Sequence, residues 1–206
     1  MPEWDPVSCR LHRDLIEVVH EYRVAGWFEQ YVGQPDEVVA EVLRAQWWQD
    51  DWEEFDVARA GYGNFALADT DRVIGLDPEA DTSEGNHVYV EVLQRLAEIT
   101  ADALVITDVS EDWQSESGRV IVSVLANGQP RQLRLHQFDD WIDPKVITLL
   151  NGIVAAQARR FYCFDTGGQM YPITFAKPEQ AAAMNAFGKV QLLDRAPDEW
   201  PGIREA

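Results

Sequence analysis

Apolar residues recur at helical spacing along the first half of the chain and alternate at strand spacing through much of the second. Leu11, Leu15, Val18, Val19 and Tyr22 fall on one side of a helix. Asp5-Pro6 just ahead of them offers a side-chain cap and a backbone torsion already near helical. Gly26 and Gly33 bracket a short segment, Trp27-Phe28-Glu29-Gln30-Tyr31-Val32. Pro35 then opens a second predicted helix carrying Val38, Val39, Val42, Leu43 and Trp47 along one side and ending near an acidic run. Residues 56–86, with Gly61, Gly63, Gly75, Pro78 and Gly85, read as loops around short apolar pieces such as Val73-Ile74. Residues 86–101 satisfy both periods, since Val88, Val90 and Val92 alternate while Val88, Val92, Leu96 and Ile99 share a helical face. The good helix formers Gln94, Arg95, Leu96, Ala97 and Glu98 favour a helix.

From Leu104 onward the pattern turns to strands. Leu104-Val105-Ile106 and the β-branched run from Arg119 to Leu125 are predicted strands. Asn127-Gly128 stands between the latter and Gln132-Leu133-Arg134-Leu135, a sequence suited to a tight hairpin because both turn residues tolerate positive φ. Asp143-Pro144 repeats the helix-entry device before Val146, Ile147, Leu149, Leu150, Ile153 and Val154. Phe161-Tyr162-Cys163-Phe164 and Tyr171-Pro172-Ile173-Thr174-Phe175 form a second predicted hairpin around Asp165-Thr166-Gly167-Gly168. A last helix begins at Lys177-Pro178 and stops at Gly188, with residues 190–193 as an edge strand. The expectation is an α+β protein: a mainly helical, acidic subdomain over residues 1–101 and an α+β subdomain over 102–206, in which helices pack on an antiparallel sheet, the two being compatible with one compact unit.

Charge changes this picture more than length does. Among 206 residues there are 36 Asp and Glu against 17 Lys and Arg, a net charge of −19, and most of the surplus lies in the first hundred residues. With 46% hydrophobic residues, eight Trp, eight Phe and six Tyr, the chain can bury a core and does not belong with disordered acidic segments. An acidic surface repels phosphate, and no basic cluster exceeds Arg159-Arg160, so direct nucleic-acid binding is not expected. No apolar run reaches the roughly 18 residues of a membrane span. The start of the chain has no basic, apolar leader pattern, and a cytoplasmic location is expected. Cys9 and Cys163 read as two free buried thiols of a reducing compartment.

Several motifs have simpler explanations than chemistry. Gly167-Gly168-Gln169 matches the tripeptide of peptidyl-tRNA hydrolysis, but two glycines between aromatic strands are accounted for by a turn. Asp77, Glu79, Asp81, Ser83 and Glu84 alternate oxygens as a calcium loop does, yet Thr82 and Val88 occupy the positions of its glycine and closing glutamate. His12, His20, His87 and His136 have no zinc-ligand spacing, Cys9 has no orienting partner for nucleophilic chemistry, and no cofactor is expected. Asp50-Asp51-Trp52 and Asp139-Asp140-Trp141 are candidate acid and base pairs beside a sugar-stacking ring.

The strongest functional signal is the run Trp47-Trp48-Gln49-Asp50-Asp51-Trp52-Glu53-Glu54-Phe55-Asp56. Trp47, Trp48, Trp52 and Phe55 span more than one helical face, so one buried stripe does not hide them all. Indoles among carboxylates suit an interface with Lys and Arg. Trp48, Asp50, Asp51, Trp52, Glu53, Glu54 and Asp56 are therefore the candidate partner-binding residues, with Asp112 and Trp113 of Glu111-Asp112-Trp113 extending the face. The bland counterpart is the end of an amphipathic helix with its carboxylates in water.

In size, acidity and layout, and in Asn127-Gly128, Phe161-Tyr162-Cys163-Phe164 followed by Asp165-Thr166-Gly167-Gly168-Gln169, and Pro178-Glu179-Gln180, the chain resembles the small acidic cytosolic immunity proteins of bacterial toxin–immunity systems. The resemblance covers about the last hundred residues and implies a role without catalytic residues: binding a cognate protein toxin and plugging its basic cleft. A small hydrolase or transferase using paired carboxylates and a non-catalytic adaptor or structural module are the alternative readings.

Overall fold

The computed structural model describes residues 6–47, 60–80, 82–114, 117–137, 140–166 and 170–196. The order is α1 (Pro6–Val24), a 3-10 turn (Glu29–Tyr31), α2 (Asp36–Trp47), α3 (Ala60–Asn64), a second 3-10 turn (Phe65–Ala68), β1 (Val73–Leu76), α4 (Val88–Glu98), β2 (Ile106–Gln114), β3 (Arg119–Ala126), β4 (Gln129–His136), α5 (Lys145–Ile153), β5 (Arg160–Phe164), β6 (Tyr171–Ala176), α6 (Pro178–Phe187) and β7 (Leu192–Leu193). This is the α+β architecture that the pattern predicts, with a helical first half and antiparallel sheets carrying helices in the second. None of the described helices is long and apolar enough to cross a membrane.

The strands form two antiparallel sheets, one ordered β1-β6-β5-β7 and one ordered β2-β3-β4. The first sheet is covered on both faces, which explains why β5 and β6 read as unbroken apolar runs. On β5, Tyr162 and Phe164 face a core shared with Leu15, Val18, Val19 and Tyr22 of α1, Val39 and Leu43 of α2, and Ala181 and Met184 of α6. Phe161 and Cys163, pointing the other way, join α4, α5 and the inner face of the second sheet. On β3 the inward residues Val120, Val122 and Val124 are buried and alternate with Arg119, Ile121 and Ser123. A side chain of Val or Leu size contributes about 1.5–3 kcal/mol when fully buried, so these two stripes supply much of the drive to fold.

Three features depart from the sequence pattern. β1, inside the predicted loop region, pairs with β6 from Val73 opposite Thr174 to Leu76 opposite Tyr171, so the first half of the chain supplies a strand to the sheet of the second. α3 and its 3-10 turn also form there, because Tyr62, Phe65 and Ala66 bury against α1 and α2. The strand expected at Leu104-Val105-Ile106 starts at Ile106 and runs on through Glu111, Asp112 and Trp113, with a bulge between Thr107 and Ser110 where Asp108 takes φ 51°. Its long register with β3 outweighs the modest strand propensity of its acidic residues. The Asn127-Gly128 turn has φ 51° and 73°, as the hairpin requires.

Candidate interaction surface

Trp48, Asp50, Asp51, Trp52, Glu53, Glu54 and Asp56 lie outside the described residues, just beyond the end of α2. Asp112 and Trp113 are adjacent on β2, and the twofold period of a strand sends them to opposite faces. Trp113 packs inward against Tyr89, ring centroids 6.2 Å apart, and its indole N–H donates to Glu111 Oε2 at 2.9 Å. The other Glu111 oxygen accepts the Val90 N–H at 2.9 Å, tying β2 to the first turn of α4. Asp112 is exposed on the outer face, in register with Ile121 of β3.

The other motifs resolve into local contacts. Asp77 Oδ1 accepts the Glu79 N–H at 3.0 Å and Ser83 Oγ accepts Asn86 Nδ2 at 3.0 Å. Asp81 lies outside the described residues, and among those described no three His, Cys, Asp or Glu side chains gather as a metal site. Residues 167–169 lie outside as well, while Thr166 Oγ1 donates across that connection to the Met170 carbonyl at 3.1 Å. Of the candidate acid pairs, Asp50, Asp51 and Asp139 are outside; Asp140 is exposed and Trp141 bridges to Glu79. Cys163 is free and buried, and burial pushes its thiol far up, away from the thiolate. The side chain of Cys9 lies outside the described residues.

What the structure brings together instead is an open recess of about 520 Å³ between the end of α1, the loop that follows it and the start of α2. Val24 and Val32 line it at 69% and 77% exposure, high for residues of their type, and the buried rings of Trp27 and Phe28 lie beneath. One wall is braced by charge. Arg23 donates to the Gln34 carbonyl at 2.8 Å and the Tyr31 carbonyl at 3.3 Å, and it pairs with Asp36, whose other oxygen meets His20 Nδ1 at 2.8 Å. Across the loop, Glu29 pairs with Arg72 at 2.5 Å. The buried Trp27 indole N–H has no hydrogen-bond partner among the described residues. The recess therefore joins a preformed polar wall to an apolar rim left in water.

Asp69 sets the shape of the floor. Its Oδ2 accepts the Phe28 N–H at 2.7 Å and holds that residue at φ 61°, a conformation costly for a non-glycine residue. Burial pushes the Asp69 carboxyl up, opposed by the Phe28 N–H and by Arg72. A raised folded-state pKa contributes stability that is complete below the ordinary carboxylate range and is lost as pH rises through the folded value. The stability of the wild type relative to Asp69→Asn is accordingly expected to grow as pH falls from neutral to about 4. Chemical denaturation of both proteins across that range checks it, and a pH-independent difference would contradict it.

The periodicity did not reveal this recess, although it held a clue: Val24 falls off the α1 stripe and Val32 stands beside Gly33 in a turn, neither having an evident place in a core. No family model, no curated protein and no solved structure matches this chain.

Proposed function

We propose that the chain is an immunity-type protein that binds a cationic bacterial toxin in the cytoplasm, covers the toxin's active-site cleft, and performs no chemistry of its own. The observation that carries this reading is the α1–α2 recess, where Val24 and Val32 stand exposed around a concavity on a chain of net charge −19. An apolar rim beside a braced polar wall is the form of a protein hot spot: a partner side chain seated between the valines loses water on both sides. The surrounding acid acts earlier, steering a positive surface into encounter at a rate that falls with salt. The acid and indole residues 48–56 follow α2 directly and supply the steering charge in this reading.

The test is binding and protection against a candidate toxin encoded beside this chain's gene. Two variants divide the roles. Val24→Asp with Val32→Asp is expected to weaken the complex at least tenfold, mainly by faster dissociation. Asp51→Lys with Glu53→Lys and Glu54→Lys is expected to slow association and flatten its salt dependence. Both should retain the circular dichroism of the parent. Undiminished protection by both variants, or substrate turnover by the chain alone, would overturn the reading.

A further inference from the structure

The outer face of the β2-β3-β4 sheet carries a feature at odds with the acidity of the chain. Residues directly opposite each other on neighbouring strands share a face, so Gln114, Arg119 and His136 make one row across the three strands, and Asp112, Ile121 and Arg134 make the next. Arg119 and Arg134 are thus diagonal neighbours, a relation that places side-chain bases about 7–8 Å apart. They open onto a cavity of about 310 Å³ shared with Gln114, Ile121 and His136. Lys145 Nζ, at the start of α5, lies 3.4 Å from His136 Nδ1.

Among the described residues, the two carboxylates beside this cluster, Asp143 and Asp112, already hold other hydrogen bonds. Asp143 is fully buried behind His136, its oxygens accepting the His136 N–H at 2.7 Å and the Lys145 N–H at 2.8 Å, with His136 Nδ1 at 3.4 Å. Asp112 accepts from Gln114 Nε2 at 3.4 Å, on the far side of Ile121. In a chain with twice as many acids as bases, neither the Arg119 nor the Arg134 guanidinium has a hydrogen bond or ion pair to another described residue. Arg131, on the same strand, turns its guanidinium to the Pro130 carbonyl.

The geometry points to a binding site for a phosphate group in the cavity formed by Arg119, Arg134 and His136. Guanidinium forks match the planar oxygen pairs of oxyanions. Two forks converging on one hollow favour a group with three free oxygens and a charge of about −1.5 to −2 near pH 7 over a monocarboxylate, which one fork satisfies. The long-range repulsion of a negative chain is offset only at contact, so the site would select for a group that uses both forks together. Ile121 adds an apolar wall on which an organic ester can rest.

The test is titration of the full chain with inorganic phosphate, phenyl phosphate and benzoate, followed through arginine side-chain NMR resonances. Saturable shifts at Arg119 and Arg134, at least tenfold weaker binding in Arg119→Gln and in Arg134→Gln, and unchanged binding in Arg131→Gln are expected. Both arginines are exposed, so the variants should keep the parent's melting temperature. Tighter binding of phenyl phosphate assigns the site to a phosphate ester, and tighter binding of inorganic phosphate assigns it to the free ion. Non-saturating shifts, equal affinity in the two cavity variants and the parent, or benzoate binding as tightly as either phosphate would overturn the proposal.

Discussion

Asn151→Ala is expected to lose about 3–5 kcal/mol of stability, because one side chain there completes the edge of a sheet. β7 pairs with β5 at Cys163 and Phe164 and goes no further. At the next position along that edge, the Asn151 amide of α5 takes the place of a strand. Its Oδ1 accepts the Phe161 N–H at 2.8 Å, and its Nδ2 donates to the Phe161 carbonyl at 3.0 Å and the Asp194 carbonyl at 2.9 Å. Truncation leaves one buried donor and two carbonyls without it, each costing on the order of 1–3 kcal/mol less whatever water recovers. Asn151→Asp keeps the shape and the acceptor but sets a carboxylate against two carbonyl oxygens, so it is expected to be at least as damaging at pH 7 and to recover on acidification as the new carboxyl takes up a proton. Urea unfolding at pH 7 and pH 5 checks both, and a loss below about 1 kcal/mol for Asn151→Ala would contradict the assignment. Asn185 of α6 repeats the device on the β7 side, bonding both the N–H and the carbonyl of Leu192.

Asp143→Ala is expected to cost about 3–5 kcal/mol by a different route, since hydrogen bonds to a charged group contribute about 1.5–3 kcal/mol each. The buried carboxylate holds the last residue of β4 and the first of α5 through their backbone N–H groups, while the backbone N–H of Asp143 donates to Tyr89 Oη at 3.0 Å. One side chain therefore joins the second sheet to α5, while the tie to α4 runs through the Asp143 backbone and survives truncation of the side chain. Asp143→Asn retains a single good acceptor and should fall between the parent and the alanine variant. Hydrogen exchange offers a local readout: the His136 and Lys145 amides are expected to lose protection beyond the global change, and protection that changes uniformly across the chain would count against this role.

Much of the fold was legible in local pattern. The α1 stripe of Leu15, Val18, Val19 and Tyr22 is fully buried in the structure, the Asn127-Gly128 hairpin forms, and the helix read over residues 86–101 is present as α4. β1 was harder, because four residues between turns carry no period of their own and become a strand only by pairing with β6, about a hundred positions away. The candidate surface was less legible still. Asp112 and Trp113 read as one acid-aromatic unit, whereas the pleat sends one to water and the other against Tyr89. Arg119 and Arg134 looked like ordinary strand arginines until strand register made them neighbours.

By itself the sequence determined the α+β class, the faces that helices and strands turn inward, and the surplus of negative charge, since each follows from residue type and spacing within a single element. Tertiary structure alone decided which elements meet: β1 beside β6, the recess between α1 and α2, asparagines completing sheet edges, and two arginines opening onto one cavity. The physical reason is that periodicity reports only that a face is buried. The groups that cover it come from distant parts of the chain and are selected by the packing and hydrogen bonding of the whole fold.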